Sequence, residues 1–297
     1  MDDEYLKKFI SEKYIVKTEN IHPIGNHRLG RNYVYLIKKN EMELVVKVSI
    51  SQKKWHNEII SYKLLKGLEF IPEIYETGKT RDLYYLISKK IEGKMLDEVW
   101  FRKSFREQIK ISGMLGKTLA QIHDWKSFNH YNSWEDKSNI DIVKDRESRD
   151  KNIVRRLATC NLLDHMTIRM GIAALPEFRE KLENKKSVIA HRDFSFRNIL
   201  VNDENEVTGV LDFEHTIPDD PSMDICTILQ TSMFDNERLF NSFIKGYTSV
   251  KDFPENFINN KSYYYLITGL YMCSKYDIRR EGEILRGISL IKKGLSL

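Results

Sequence analysis

Three cysteines in 297 residues are too few and too scattered to build a disulfide framework. Cys160, Cys226 and Cys273 stand alone in apolar or mixed surroundings, at spacings that suit neither disulfides nor a metal cluster, and read as reduced thiols of a cytoplasmic protein. No apolar run approaches the roughly 20 residues a membrane-spanning helix needs. The opening Asp2-Asp3-Glu4 stretch has no apolar signal core. Charge of one sign is also missing: 48 Lys and Arg stand against 43 Asp and Glu, a net +5 with no basic block, which gives no indication of nucleic-acid binding. Internal repeats and low-complexity linkers are absent, as is a Gly-x-Gly-x-x-Gly loop. What remains is a soluble monomer with no membrane or nucleic-acid partner, long enough for a small and a large lobe with ample core.

Chemistry concentrates in His191-Arg192-Asp193-Phe194-Ser195-Phe196-Arg197-Asn198-Ile199-Leu200, followed by Gly209-Val210-Leu211-Asp212-Phe213-Glu214. An Asp five residues ahead of an Asn, with a second Asp closing the next apolar strand, is the spacing of a phosphoryl-transfer site. Asp193 is placed to accept or orient the proton of an attacking hydroxyl. Asn198 offers a metal an uncharged oxygen, Asp212 a charged one, and hard cations such as Mg2+ want both. His191 braces the loop. The apolar runs on either side of Asp203-Glu204-Asn205-Glu206 read as a hairpin, which fixes Asn198 relative to Asp212.

These residues resemble the catalytic core of the aminoglycoside phosphotransferase family, within the wider protein-kinase-like fold. The resemblance implies an α+β, two-lobed kinase: a small N-lobe over residues 1–88, with an antiparallel sheet plus helix that covers nucleotide, and a larger, mainly helical C-lobe over 89–297. It also implies Mg2+, a nucleoside triphosphate donor, ATP or GTP, and a small-molecule hydroxyl acceptor. Met42-Glu43-Leu44-Val45-Val46-Lys47-Val48 is similar to the strand that carries the family's phosphate-anchoring lysine, and Glu58, on an apolar-periodic helix over residues 52–65, matches the lysine's partner. An edge-strand lysine and a solvated helix glutamate are the plainer readings of the two. The strand Leu83-Tyr84-Tyr85-Leu86-Ile87 runs into a segment like the interlobe hinge, which makes Ser88 and Lys90 candidates beside the adenine base.

Other segments are less specific. Residues 24–37 form a glycine-containing turn that either covers phosphates or is an ordinary hairpin. Residues 111–125 read as a long buried helix with His123 a packed structural residue. The run 141–156 alternates in charge sign, the mark of a solvated helix face or connection and only secondarily of a substrate-contacting insertion. Residues 217–225 read as a turn-rich acidic loop, in which Asp224 caps a helix start. Residues 234–297 read as apolar helices whose aromatics are most simply core, while the resemblance implies that this region helps to build the acceptor pocket. Glu214 stands where protein kinases carry glycine, and no Ala-Pro-Glu segment follows, which argues for a small-molecule kinase. Arg192 does occur in regulated protein kinases, paired with a phosphorylated loop, of which the sequence shows no sign. The favoured acceptor is an aminoglycoside-type antibiotic, whose positive charge calls for carboxylates such as Asp219, Asp220, Glu281 and Glu283. Macrolide, choline, homoserine or sugar acceptors are the alternatives, and a nucleotide-binding module without turnover is a third reading.

Overall fold

Alternating buried residues over 32–39 and 42–49 dictate strands of a layered sheet. The computed structural model describes residues 3–25, 32–39, 41–80, 83–135, 141–160, 162–163, 165–275 and 281–297. Helix α1 (Asp3–Tyr14) is followed by β1 (Ile21–Ile24), β2 (Asn32–Lys39), β3 (Met42–Ser49), α2 (Gln52–Leu64), β4 (Ile74–Thr80) and β5 (Leu83–Lys89), then by the short β6 (Lys94–Met95) and α3 (Leu96–Val99). The five longer strands form an antiparallel sheet in the order β1-β2-β3-β5-β4. Leu6 and Ile10 of α1 pack with Tyr35 and Ile37 of β2, Val46 and Val48 of β3 and Ile87 of β5 in one buried core. Strand side chains alternate faces, so Lys47, between Val46 and Val48, points away from that core. Helix α2 lies on that second side. Ser51 caps it by accepting from the Lys54 amide at 3.4 Å, and the Trp55 indole donates to the Tyr85 carbonyl at 2.9 Å.

The chain continues through α4 (Phe105–Trp125), β7 (Ser127–Phe128), α5 (Ile142–Thr159), α6 (Met166–Arg179) and β8 (Ser187–Ala190). The expected hairpin follows as β9 (Ile199–Val201) and β10 (Val207–Val210). Next come β11 (Ile217–Asp219), α7 (Ser222–Leu229), α8 (Glu237–Thr248), α9 (Glu255–Asn259), α10 (Lys261–Lys275) and α11 (Glu281–Leu295). Two compact units result: Met1–Val99 with Arg197–Thr216, and Trp100–Phe196 with Ile217–Leu297. The first holds the five-stranded sheet and a small sheet β10-β9-β6; the second is mainly helical, with the sheet β11-β8-β7.

Several boundaries differ from the sequence reading. Division falls after Val99 rather than after residue 88, and the hairpin joins the first unit, because β6 pairs with β9 across a hundred residues of sequence. Helix α4 starts at Phe105, before residue 111, since Ser104 and Glu107 form a reciprocal capping box. Residues 217–219 are a buried strand rather than loop. The alternating-charge run 141–156 is not a solvated face: Asp145, Arg146 and Asp150 are buried on α5. Residues 26–31 of the glycine-containing turn lie outside the described residues. No helix among the described residues is long and apolar enough to cross a membrane, and Cys160, Cys226 and Cys273 are unpaired.

Glycine sets one critical contact in the helical unit. A Cβ at Gly246 of α8 would lie 1.8 Å from the Gly113 carbonyl of α4, and one at Gly116 would lie 1.9 Å from the Phe243 carbonyl. Both obstacles are backbone, so the helices must part to accept a methyl group. Gly246→Ala is expected to destabilise the protein by about 3 kcal/mol in urea unfolding. Gly282→Ala, which meets nothing within 4 Å, serves as the control and should be neutral or slightly stabilising. Equal stability of the two variants would remove this role for the glycines.

Candidate active site

In the sheet unit, Lys47 is the centre of charge. Its Nζ lies 2.8 Å from Glu58 Oε2, 2.6 Å from Asp212 Oδ1 and 3.6 Å from Glu214 Oε2. Burial alone would lower the lysine pKa, but Glu58, Asp212 and Glu214 outweigh it and push the pKa up, so the ammonium form is held. Tyr62, one turn beyond Glu58, donates to Glu58 Oε1 at 3.3 Å. The structure thus brings together three residues the sequence singled out, Lys47, Glu58 and Asp212, and adds a fourth.

Glu214, read in the sequence only as a replaced glycine, is a buried anchor. Lys54 donates to its Oε1 at 2.6 Å, Asn32 to its Oε2, and Asn57 to its backbone carbonyl at 3.2 Å, while His215 Nε2 sits 3.3 Å away. Burial raises its pKa, yet the His215 contact, the charge of Lys47 and the bonds from Lys54 and Asn32 together hold the carboxyl well below the usual range. The only sequence signal was a charged residue inside an apolar, turn-rich stretch; its partners come from distant elements.

Asn198 and Asp212 sit at adjacent positions across the hairpin. Val210 pairs with Ile199, and the Leu211 amide donates to the Asn198 carbonyl at 2.8 Å. Asp212 has φ of 65°, a left-handed conformation worth about 1–2 kcal/mol of strain for a non-glycine residue. The turn this produces leaves its side chain a third exposed, at 33%. A carboxylate and an amide oxygen are hard donors that fit Mg2+. Among the described residues no group of three His, Cys, Asp or Glu forms a metal cage. Such a donor pair suits a cation completed by phosphate oxygens and water. Ser88 is buried in β5, between Val45 and Ile74, and the Lys90 amide donates to the Glu43 carbonyl at 3.0 Å while its ammonium pairs with Glu43 and Glu92. The amide of Lys90 is therefore engaged in strand pairing.

In the helical unit, β8 ends in the turn that carries Asp193. His191 is fully buried, and its Nδ1 accepts from the Asp193 amide at 3.2 Å. Asp224 accepts from the amides of His191 at 2.8 Å and Arg192 at 2.5 Å. Its Oδ2 also lies 2.9 Å from His123 Nε2, whose other ring nitrogen is 2.8 Å from the Tyr247 hydroxyl. Asp224 stands in the first turn of α7 but spends its carboxylate on this turn. The amide at the helix start, that of Ser222, is taken instead by Asp220 Oδ1 at 2.9 Å. The capping role expected of Asp224 thus belongs to Asp220.

Asp219 and Asp220 are both buried and fully engaged. Asp219 pairs with Arg146 at 2.7 Å, Arg149 at 2.9 Å and Arg192 at 2.8 Å. Asp220 accepts from the Tyr264 hydroxyl at 2.6 Å and the Asn256 amide at 3.1 Å. Burial raises the Asp219 pKa, but the three guanidiniums overcome it and hold the carboxyl far below its ordinary value. Asp219 and Glu214 share this depression, so their contribution to stability is full above the unfolded carboxyl values of about 4 and is lost as pH falls toward the folded ones. Unfolding free energy is expected to drop steadily when pH is lowered below about 4. Asp219→Asn should show a shallower dependence in urea titrations at successive pH values.

The geometry defines a kinase-like fold, and solved structures share it. The aminoglycoside phosphotransferase APH(4)-Ia superposes with a TM-score of 0.70 at 13% identity, covering 99% of each chain. A spectinomycin phosphotransferase, APH(9)-Ia, solved with ADP and spectinomycin, gives 0.68 at 13% identity over 100% of this chain and 99% of its own. ADP-bound APH(2'')-Ib gives 0.63 at 20% identity over 98% and 97%. No protein of curated function matches in sequence. Residues 26–255 match the phosphotransferase enzyme family, and the chain belongs to it.

Proposed function

We propose that the chain transfers the γ-phosphoryl group of a nucleoside triphosphate to a hydroxyl of a small molecule, with an aminoglycoside-type antibiotic as first candidate. The observation that carries this is Lys47 held between Glu58 and Asp212, a cation fixed beside a prospective metal ligand. Lys47 binds the donor's phosphates, with Glu58 orienting it. Asn198 and Asp212 would hold Mg2+, which when bound neutralises charge on the β- and γ-phosphates. Asp193 accepts the proton of the acceptor hydroxyl as its oxygen bonds to the γ-phosphorus and the β–γ bridging P–O bond breaks, releasing nucleoside diphosphate. His191 and Asp224 orient the turn that presents Asp193.

A second reading has a specific observation behind it. Asp219 and Asp220 are sealed among arginines, Tyr264 and Asn256. Of the four carboxylates suited to a polycation, only Glu281 and Glu283, in the first turn of α11, remain available. That favours a less cationic hydroxyl acceptor such as choline, homoserine, a macrolide or a sugar. The deciding assay is diphosphate release with Mg2+ and ATP or GTP across aminoglycosides and these compounds. Stimulation by aminoglycosides alone supports the first reading, and stimulation by the others supports the second. Nucleotide binding with no stimulation by any acceptor would favour a module without turnover.

A further inference from the structure

Arg192 precedes Asp193 and adopts a left-handed backbone, φ 64°, that non-glycine residues rarely hold without outside support. Support comes from two carboxylates of one corner. Asp224 takes the backbone amides of His191 and Arg192, while Asp219 takes the Arg192 guanidinium. The corner itself is braced, since the Asp220 amide donates to Asp219 Oδ1 at 2.9 Å and Asp220 is fixed by Tyr264 and Asn256. Asp219 is fully buried, and its other partners, Arg146 and Arg149, come from α5, where Asp145 pairs with both. Three guanidiniums thus face Asp145 and Asp219, with the buried Asp220 also acting on the charge of Arg146. Asp219 keeps Arg146 and Arg149 as partners without Arg192, so the ion pairs to α5 do not depend on the Arg192 bond. The bond from Asp219 to Arg192 is the one that links the cluster to the turn.

We propose that Asp219 is a positioning residue for phosphoryl transfer, acting through Arg192 to hold the turn that presents Asp193. The proposal rests on the reading of Asp193 as the base. A charge-assisted bond from the partly exposed Arg192 guanidinium to the buried Asp219 carboxylate is directional, and it fixes both ends of a one-residue lever. Release of the guanidinium frees the strained residue next to Asp193 and leaves the Lys47 and Asp212 cluster of the sheet unit unaltered. The defect belongs in turnover, with nucleotide binding intact.

Arg192→Gln is the decisive variant, because Asp219 keeps Arg146 and Arg149 as partners and the Arg192 side chain is itself partly exposed, so folding should survive. Its kcat is expected to fall about 10- to 100-fold, with the nucleotide KM within about twofold of the parent. Amide exchange at His191 and Arg192, measured by mass spectrometry without any substrate, is expected to quicken about tenfold or more. Asp219→Ala should show the same kcat loss, partly restored by formate, a small carboxylate for the vacated space between the arginines, and not by formamide. Formate should do nothing for Arg192→Gln. Parental kcat and parental exchange in Arg192→Gln overturn the proposal, as does equal rescue of Asp219→Ala by formamide. The underlying reading fails separately: it falls if Asp193→Ala turns over normally, whereas a failure of the proposal alone leaves Asp193→Ala inactive and Arg192→Gln unimpaired. If Asp219→Ala does not fold, kcat and exchange in Arg192→Gln still decide.

Discussion

Asp193→Ala is expected to abolish acceptor-dependent phosphoryl transfer, with a loss of about a thousandfold or more, while nucleotide affinity stays within about twofold. The separation follows from where the residues reside. Lys47, Glu58, Asn198, Asp212 and Glu214 belong to the sheet unit, and Asp193 to the helical one. The ion pairs of Lys47 are made to Glu58, Asp212 and Glu214, all of the sheet unit. Its amide bond to His191 and the Asp224 bonds to the preceding amides are made by backbone and persist in the alanine variant. Initial rates with a responding acceptor, paired with calorimetric titration of nucleotide, check both halves. Normal turnover would remove Asp193 from the role of base, and a large fall in nucleotide affinity would make it an anchor.

Asp212→Ala should be as damaging to turnover, by about a thousandfold or more, and should also weaken binding of Mg2+ with nucleotide by at least about tenfold. It deletes the charged member of the hard-donor pair and one of the three carboxylates around Lys47. Folding is expected to survive, because Glu58 and Glu214 still compensate the lysine and the alteration relieves no buried cation of its last partner. The signature that sets this variant apart is metal dependence: raising Mg2+ concentration should recover part of the affinity in Asp212→Ala and none of the rate in Asp193→Ala. Nucleotide affinity equal to the parent's in Asp212→Ala would deny it the metal.

Local pattern made much of this chain legible. Hairpin β9–β10 showed as two apolar runs around an acidic turn, β3 as a β-branched strand, and α2 as an apolar period. Each is written in residues close together in sequence. What the sequence hid was partner choice. Glu214 looked like a lost glycine because Asn32 and Lys54 approach it from positions more than 150 residues away. Asp219 looked like a candidate for the acceptor, and α5 like a solvated face, because alternating charges read the same in water and in a buried ion network. Charge pairing has no period in sequence, so burial decided it. The capping box of α4 was the exception, a local signal present in Ser104 and Glu107 and not used.

The sheet unit is assembled from two stretches separated by 97 residues of the other unit. During synthesis, Lys47 and Glu58 leave the ribosome long before Asn198 and Asp212, so the first 99 residues emerge without β9 and β10 to complete their small sheet. Nucleotide therefore cannot act as a folding template until the chain has grown past residue 212, and a nascent chain halted before that point exposes β6 without its partner. The five-stranded sheet and its core lie within the first 89 residues, so it is β6 that emerges long before the strand it pairs with.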